Sequence, residues 1–263
     1  MDLGIKNKTA IVSGASQGLG RTCAEMLANE GVNLIVCSRN YDNIFSAARS
    51  ISETFGVNVV PIAADISLPE SPDKLVNEAV RKFDGVDILI NNTGIFSQEK
   101  FEDPDESDWE KAFNLTLMSV LRMTQSVLPY MTSKGWGRII NLVTLPVQQQ
   151  FPGLILTHSL RYAVVGMTKT LSNEAASQGV CINTIVTANV DTEGFRSIIK
   201  KRARESGSTE EKVQNEIESV IPLGRIGMPE ELAWFVTFLA SEKASYITGM
   251  TIDMDSGIVN GLM

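Results

Sequence analysis

The sequence predicts an α/β fold, in which helices cover both faces of one doubly wound parallel sheet of about seven strands. Short apolar segments alternate with helix-length segments along the whole chain, and such strands are typical of a parallel sheet buried on both sides. A glycine-rich turn joins the first strand to the first helix. No linker, repeat or low-complexity stretch interrupts the 263 residues, so we expect a single domain over residues 1–263.

The predicted elements can be placed in order along the chain. Apolar residues at helical spacing mark the first helix, where Leu19, Cys23, Met26 and Leu27 share one side. Ligands of such sheets bind at the carboxyl ends of the strands, where the strand order reverses. The predicted strands are Thr9–Ser13, Val32–Cys37, Val57–Ala63, Val86–Asn91, Arg138–Val143, Val180–Val186 and Thr251–Met254. The predicted helices are Gly18–Glu30, Asp42–Phe55, Asp73–Phe83, Ser107–Met131, Leu154–Gln178 and Glu230–Ala240.

One segment differs in composition from the rest. Arg196–Glu218 is rich in lysine, arginine and glutamate. It can be a solvated helix, and its position before the last helix and strand also suits a substrate lid around residues 190–220. The two interpretations are compatible.

Composition narrows the class of partner and the compartment. The chain is 43% hydrophobic and 21% charged, and its formal net charge is −8, so nucleic acid is not expected to bind. It has neither an apolar run long enough to span a membrane nor a basic-then-apolar start, so we expect a cytoplasmic protein without a membrane partner. Cys23, Cys37 and Cys181 lie in apolar segments and are expected to be buried, reduced thiols. A single histidine excludes a histidine-based metal cluster, and no metal is expected.

The segment Ser13–Gly20 has the chemistry of a phosphate-binding turn. Its glycines let the backbone turn tightly and approach a pyrophosphate, and the first amides of the following helix point towards negative charge. A plain strand-to-helix turn is the alternative. The position after the first strand and before a helix favours the nucleotide-binding interpretation.

The spacing of these glycines, with three residues between the first two and one before the third, resembles the short-chain dehydrogenase/reductase family. Further matches are spread over nearly the whole chain. They are Asn91-Asn92-Thr93-Gly94, Asn114, Gly137–Asn141, Ile221–Arg225 and Tyr246–Gly249. The resemblance implies a Rossmann-like NAD(P)-binding domain, oxidoreductase activity on a small-molecule carbonyl or alcohol, and a homo-oligomer, either a dimer or a tetramer.

The resemblance also implies a set of cofactor contacts. These are Gly14, Ser16, Gln17, Gly18, Leu19, Gly20, Ser38, Arg39, Asp65, Ile66, Asn91, Gly94, Arg161 and Thr192. Ser38 stands where NAD-preferring relatives tend to carry aspartate, and Arg39 can contact a 2′-phosphate, so we expect NADP rather than NAD. Arg39 could instead be a solvated surface residue, and Asp65 a satisfied turn aspartate.

In this family a tyrosine exchanges the proton, a lysine lowers its pKa and holds the ribose, a serine binds the substrate oxygen, and an asparagine orders a relay water. The resemblance assigns the asparagine position to Asn114 and the serine position to Thr144. Thr157 falls at the tyrosine position and Arg161 at the lysine position, because Arg161–Lys169 matches the family pattern that follows the lysine. Tyr162 does not restore the pair, since glycine stands four residues later.

These replacements change the expected chemistry. An aliphatic hydroxyl titrates far above the phenol pKa of about 10, so Thr157 is a poor acid or base. Arg161 can still donate to ribose hydroxyls but stays charged. Thr187-Ala188 also replaces the usual Pro-Gly after the sixth strand. His158 is either structural or a substitute acid, and Gln148–Gln150 either line the pocket or form a polar loop.

Three functions therefore remain open. The chain can be an NADP(H)-dependent oxidoreductase in which water, the substrate or His158 replaces the tyrosine. It can be a cofactor-binding pseudoenzyme, or a non-redox enzyme on the same fold. Halohydrin dehalogenases resemble this family with arginine at the lysine position, but they keep the tyrosine and lose the cofactor turn. The helices predicted at Ser107–Met131 and Leu154–Gln178 form the dimer interface in family members, and the C-terminal segment commonly completes a tetramer.

Overall fold

The computed structural model describes residues 1–94, 101–144 and 154–259. Its seven strands form one sheet in which every neighbouring pair is parallel, in the order β3-β2-β1-β4-β5-β6-β7. The doubly wound sheet predicted from the sequence is therefore confirmed. The strands are β1 Thr9–Ser13, β2 Asn33–Ser38, β3 Val59–Ala63, β4 Ile88–Asn92, β5 Gly137–Thr144, β6 Val180–Thr187 and β7 Thr251–Met254.

Helices connect the parallel strands. They are α1 Gly18–Asn29, α2 Tyr41–Phe55, α3 Ser71–Phe83, α4 Glu106–Phe113, α5 Ser119–Lys134, α6 Ile155–Ala175, α7 Glu193–Ser206, α8 Glu210–Ser219 and α9 Pro229–Leu239. Because the chain runs outward from β1 to β3 and then restarts at β4, the strand order reverses between β1 and β4. The carboxyl ends of these two strands border the crevice in which such sheets bind ligands.

Two predicted helices are more complex than their apolar patterns indicate. The one expected at Ser107–Met131 consists of α4, a π-helical segment at Asn114–Met118, and α5. The one expected to end at Gln178 is α-helical to Ala175 and closes with a short 3₁₀ turn. Apolar periodicity reports which face is buried, and it does not distinguish the hydrogen-bond spacing within one turn.

The predicted lid region forms two helices, α7 and α8. Gly207 separates them with a left-handed backbone (φ 64°), and the Thr209 hydroxyl caps α8 by accepting from the Lys212 amide at 3.2 Å. Both helices are polar, and their apolar side chains pack against each other around Ile199, Ala203 and Val213. The charged segment is thus an ordered helical pair.

The core lies on both faces of the sheet, because alternate strand residues point to opposite sides. Val12 of β1 packs with α1, α2 and α9, whereas Ile11 packs with α3 and α5. The three cysteines are buried and unpaired, as predicted. Within the described ranges, no helix is both long and apolar enough to cross a membrane.

Candidate active site

The glycine-rich turn lies at the carboxyl end of β1 and is held by Asn92 of β4. Gly14 has a left-handed backbone (φ 61°), and an added Cβ would lie 2.7 Å from Asn92 Nδ2. At Gly20, a Cβ would overlap the carbonyl oxygen of Gly14. Asn92 Nδ2 donates to the carbonyl oxygens of Ser13 and Gly14, both at 3.3 Å, and the Asn92 amide donates to Ser13 Oγ at 2.9 Å. Close packing of the backbone therefore requires glycine at these two positions. Asn92 positions the turn, and it is not among the site residues predicted from the sequence.

The segment after β6 reaches the same turn. Gly18 has φ 57°, and a Cβ on it would lie 3.6 Å from Thr192 Cβ. The Thr192 hydroxyl caps α7 by accepting from the Phe195 amide at 3.1 Å, which leaves its methyl group towards Gly18. The fold therefore brings Gly18, in the turn predicted to bind the pyrophosphate, next to Thr192, another predicted cofactor contact, although the two are far apart in sequence.

The amides in the first turn of α1 have no side-chain cap among the described residues. Gln17, the residue preceding the helix, is exposed and extended, and among the described residues its side chain does not cap the helix. The unsatisfied amides and the helix dipole favour negative charge at this end. The turn thus presents the geometry expected of a phosphate site.

The ends of β2 and β3 hold the residues expected to select the cofactor. Ser38 Oγ donates to the Asn40 carbonyl oxygen at 3.1 Å. Arg39 is exposed, and its guanidinium has no hydrogen-bond or ion-pair partner in the described part of the chain. One oxygen of Asp65 accepts from the amide and the hydroxyl of Ser67, at 3.0 and 2.7 Å. Arg39 is thus available to a ligand, whereas Asp65 already closes a turn.

Asn114 begins the π-helical segment, and both ends of its amide are engaged. Its Nδ2 donates to the Glu110 carbonyl oxygen at 3.0 Å, and its Oδ1 accepts from Arg122 Nη2 at 3.2 Å. Arg122 Nη1 also donates to the Ser67 carbonyl oxygen at 2.9 Å. Arg122 therefore ties the loop after β3 to Asn114. The sequence offered no signal for this residue, because the contact joins elements 55 positions apart.

Asn91 lies near the carboxyl end of β4, and its buried side chain begins a hydrogen-bond chain that reaches α6. Its Nδ2 donates to Asn141 Oδ1 at 2.8 Å, and Asn141 Nδ2 donates to Thr168 Oγ1 at 2.8 Å. All three side chains are buried. The Asn91 amide is therefore used to connect β4, β5 and α6, and it sets the position of the helix that carries Thr157 and Arg161.

Thr157 and Arg161 lie one turn apart on α6 and are almost completely buried, with 3% and 2% of their surface exposed. Arg161 Nη2 donates to the Gly94 carbonyl oxygen at a long 3.4 Å, and Nη1 is buried with no partner among the described residues. Burial lowers the pKa of Arg161 to about 10, so the side chain remains a cation at neutral pH. Thr144 is half-buried at the end of β5.

His158 is half-buried next to this pair, and its Nε2 is buried without a partner in the described ranges. Burial, and secondarily the positive charge of Arg161, lower the pKa of His158. The imidazole is therefore neutral at physiological pH and is a weak acid there. Gln148–Gln150 lie outside the described residues. Within the ranges that the structure covers, no cluster of histidine, cysteine and acidic residues could hold a metal.

Known proteins match this chain over nearly their whole length. A family model described as enoyl-(acyl carrier protein) reductase matches residues 14–259. A 3-oxoacyl-(acyl-carrier-protein) reductase of Aquifex aeolicus is 30% identical over 98% of this chain and 100% of its own length. A reductase of the same name from Vibrio cholerae is 32% identical over 97% of this chain and 99% of its own length.

Solved structures match equally well. L-sorbose reductase from Gluconobacter frateurii, in complex with NADPH and L-sorbose, superimposes with a TM-score of 0.96 at 31% identity, and the match covers 100% of both chains. A variant of actinorhodin polyketide ketoreductase with NADPH has a TM-score of 0.91 at 26% identity, covering 97% of this chain and 98% of its own. The chain belongs to the short-chain dehydrogenase/reductase family. The members of this family that it resembles are nicotinamide-dependent oxidoreductases.

Proposed function

We propose that the chain is an NADP(H)-dependent oxidoreductase that interconverts a carbonyl and an alcohol, with a proton donor other than tyrosine. The observation that carries the proposal is the glycine cradle. Gly14 and Gly20 let the turn fold closely against Asn92 and against itself, and the first amides of α1 have no side-chain cap among the described residues. Close backbone approach at a helix N-terminus is the arrangement that binds a pyrophosphate.

The preference for NADP rests on Arg39. This side chain is exposed beside Ser38, where an aspartate would repel a 2′-phosphate, and it is unpartnered within the described ranges. A guanidinium gives a phosphate charge-assisted and bidentate hydrogen bonds. The related L-sorbose reductase and actinorhodin ketoreductase were crystallised with NADPH, which is consistent with this choice.

The residues present fit a bound nicotinamide cofactor, which would supply or accept the hydride. Arg161 Nη1 is a buried donor without a partner among the described residues and would hold a ribose hydroxyl. Thr192 would border the nicotinamide, and Thr144 would donate its hydroxyl to the substrate oxygen. Asn114 would order water through the second N–H of Nδ2 or the second lone pair of Oδ1, since Glu110 and Arg122 use one of each.

Thr157 is the proposed departure from ordinary reductase chemistry. Its hydroxyl does not titrate near neutral pH, and its side chain is too short to reach the position of a phenol tip. His158 is neutral for the reasons above, so water or the substrate itself is the proposed source of the proton. Losing a positioned donor typically lowers a rate by about 10²–10⁴-fold.

A second candidate function, a cofactor-binding protein without turnover, is favoured by one observation. Both ends of the Asn114 amide are hydrogen-bonded within the protein, and Thr157 is buried. These contacts suit a site that holds a nucleotide but has no proton relay.

Comparing the natural chain with the Thr157→Tyr/Arg161→Lys double variant tests both candidates. The measurement is stoichiometric NADPH oxidation with a panel of carbonyl compounds, alongside NADPH affinity. Turnover by the natural chain supports the oxidoreductase. Tight NADPH binding without turnover, together with activity in the double variant, supports the cofactor-binding protein without turnover instead. Tyr162→Phe is the matched control, because it removes only the hydroxyl of the exposed tyrosine that follows Arg161, keeps its ring, and should leave every rate unchanged.

We further propose a homo-oligomer and a lid. Phe113 and Tyr162, on the helices that form the family's dimer interface, are 42% and 46% exposed, and Trp234 of α9 is 62% exposed. Exposed aromatic side chains on helices that pair in family members support association. Sedimentation equilibrium distinguishes monomer, dimer and tetramer. The helical pair α7–α8 is the proposed lid. The proposed location of the protein is the cytoplasm.

A further inference from the structure

Arg161 is a buried cation whose charge is not compensated by the described residues. Among the described residues, its guanidinium makes one long hydrogen bond, from Nη2 to the Gly94 carbonyl oxygen at 3.4 Å, and Nη1 is buried without a partner there. Thr157, one turn earlier, carries only a neutral hydroxyl. A charge removed from water to this extent destabilises a protein unless an opposite charge or several hydrogen bonds compensate it.

Arg138, the other arginine buried in the described ranges, shows what compensation looks like in this protein. Its Nε donates to the Ser241 carbonyl oxygen at 3.1 Å and its Nη1 to the Gly137 carbonyl oxygen at 2.8 Å. The guanidinium carbon also lies 4.5 Å from the centre of the Trp136 ring. The fold supplies hydrogen-bond acceptors and an aromatic ring to the Arg138 guanidinium, whereas the described residues leave Arg161 Nη1 without an acceptor.

A second unpartnered group lies on the same turn of helix. His158 precedes Arg161 by three residues, so the two side chains occupy neighbouring positions on α6. His158 Nε2 is buried without a partner in the described ranges, and the positive charge of Arg161 acts on the imidazole. Two nitrogen atoms that can donate hydrogen bonds, Arg161 Nη1 and His158 Nε2, therefore lie within one turn of α6 without a partner among these residues.

We infer that Arg161 and His158 form a binding site for the carboxylate of the substrate, which would be an oxo acid or hydroxy acid. A carboxylate matches the planar guanidinium with two oxygens and compensates its charge. A cofactor ribose hydroxyl accepts a hydrogen bond but carries no charge, so it leaves the cation uncompensated. The guanidinium has five donors, enough for the ribose and the carboxylate together. The inference rests on the proposed oxidoreductase site and specifies its substrate class.

Titration calorimetry with acetate and acetamide tests the inference, because the two molecules have the same shape and differ in charge. They are titrated into the natural chain with and without saturating NADP⁺. We expect acetate to bind about tenfold to a hundredfold more tightly than acetamide, as for a hydrogen bond to a charged group. Arg161→Gln should abolish this preference. It should also raise the thermal midpoint of the ligand-free protein, since it removes an uncompensated buried charge.

Two further variants keep the result interpretable. Arg49→Gln removes an equal charge from an exposed arginine paired with Glu53, and it should retain the full preference for acetate. If Arg161→Gln does not fold, Arg161→Lys keeps the charge and should bind acetate with a reduced preference. Equal binding of acetate and acetamide to the natural chain, or binding of chloride as tight as that of acetate, would overturn the carboxylate assignment.

NADP⁺ affinity, measured in the same titrations, separates this inference from the proposed function. Absence of the acetate preference in the natural chain with NADP⁺ binding intact contradicts the carboxylate site alone. Absence of NADP⁺ binding with the acetate preference intact contradicts the oxidoreductase and leaves the carboxylate site standing.

Discussion

Replacing Gly18 with alanine separates the role of this glycine in cofactor binding from its role in folding. Gly18 has φ 57°, and the new methyl would lie 3.6 Å from Thr192 Cβ, which is an ordinary contact distance. The neighbours need not move, so the cost is backbone strain of about 1–2 kcal/mol. The smaller conformational entropy of the unfolded chain offsets about 0.4–1 kcal/mol of this. We expect a net loss of about 1 kcal/mol, which lowers the thermal midpoint by about 2–4 °C.

Gly56→Ala is the matched control. Gly56 ends α2 with φ 69°, and an alanine Cβ there would have no atom within 4 Å. The strain is therefore the same at both positions, but only the Gly18 methyl enters the space proposed for the pyrophosphate. We expect equal losses of stability, whereas NADPH binding should weaken by at least about tenfold in Gly18→Ala and stay unchanged in Gly56→Ala.

The measurements are thermal unfolding and titration of NADPH by its fluorescence. Equal NADPH dissociation constants for the two variants would refute the placement of the cofactor at this turn. A stability loss in Gly18→Ala several-fold larger than in Gly56→Ala would refute the claim that Thr192 accommodates the methyl.

Two other predictions concern the core. Asn141→Ala leaves Asn91 and Thr168 buried without their partner, and each unsatisfied group costs about 1–3 kcal/mol, so denaturant unfolding should report a loss of about 2–6 kcal/mol. Burial raises the pKa of Cys23 and of Cys37 to about 12, so both thiols stay protonated in the folded protein and should resist alkylation at pH 8 until it unfolds. Because these pKa values are raised by folding, the stability they contribute is complete below the ordinary thiol pKa of about 8.5 and is lost as pH rises towards 12.

Each of these has its own control. Asn173 is exposed on the same helix as Thr168, and its replacement by alanine should change stability by no more than about 0.5 kcal/mol. If the two asparagine replacements lowered stability equally, the buried hydrogen bonds from Asn91 through Asn141 to Thr168 would contribute little to the free energy of unfolding. Mass spectrometry after alkylation locates the labelled thiols, and rapid labelling of Cys23 or Cys37 in the native protein would contradict the assigned burial.

Much of the fold could be predicted because its signals are local. Thr9–Ser13 and Thr251–Met254 were placed with their observed bounds. For Thr9–Ser13 the signal is a continuous apolar stretch that ends in a polar turn, which is typical of a buried parallel strand. The π-helical segment at Asn114–Met118 was not predicted, because its apolar residues follow the same periodicity as those of an α-helix. The separation of α7 from α8 depends on the left-handed Gly207, within a segment expected as one charged stretch.

Parts of the candidate site could not be predicted from the sequence. The clamp that Asn92 makes on Ser13 and Gly14 spans 79 and 78 residues, and the contact between Arg122 and Ser67 spans 55. Such contacts depend on which strands become neighbours, and a local pattern does not specify this. The family resemblance located Asn114, but only the coordinates show that Arg122 and Glu110 already hold its amide.

The sequence by itself determined the alternation of strands and helices, the glycine turn and the unusual pair Thr157 and Arg161, because each is set by residue type and spacing along a short stretch. Only the tertiary structure decided the environment of that pair. In the folded protein α6 packs against β6 and the π-helical segment, the Arg161 guanidinium is buried, and its Nη1 has no partner among the described residues. Burial and pairing arise from elements distant in sequence, so a chemically ordinary arginine becomes a candidate ligand-binding group only in the folded protein.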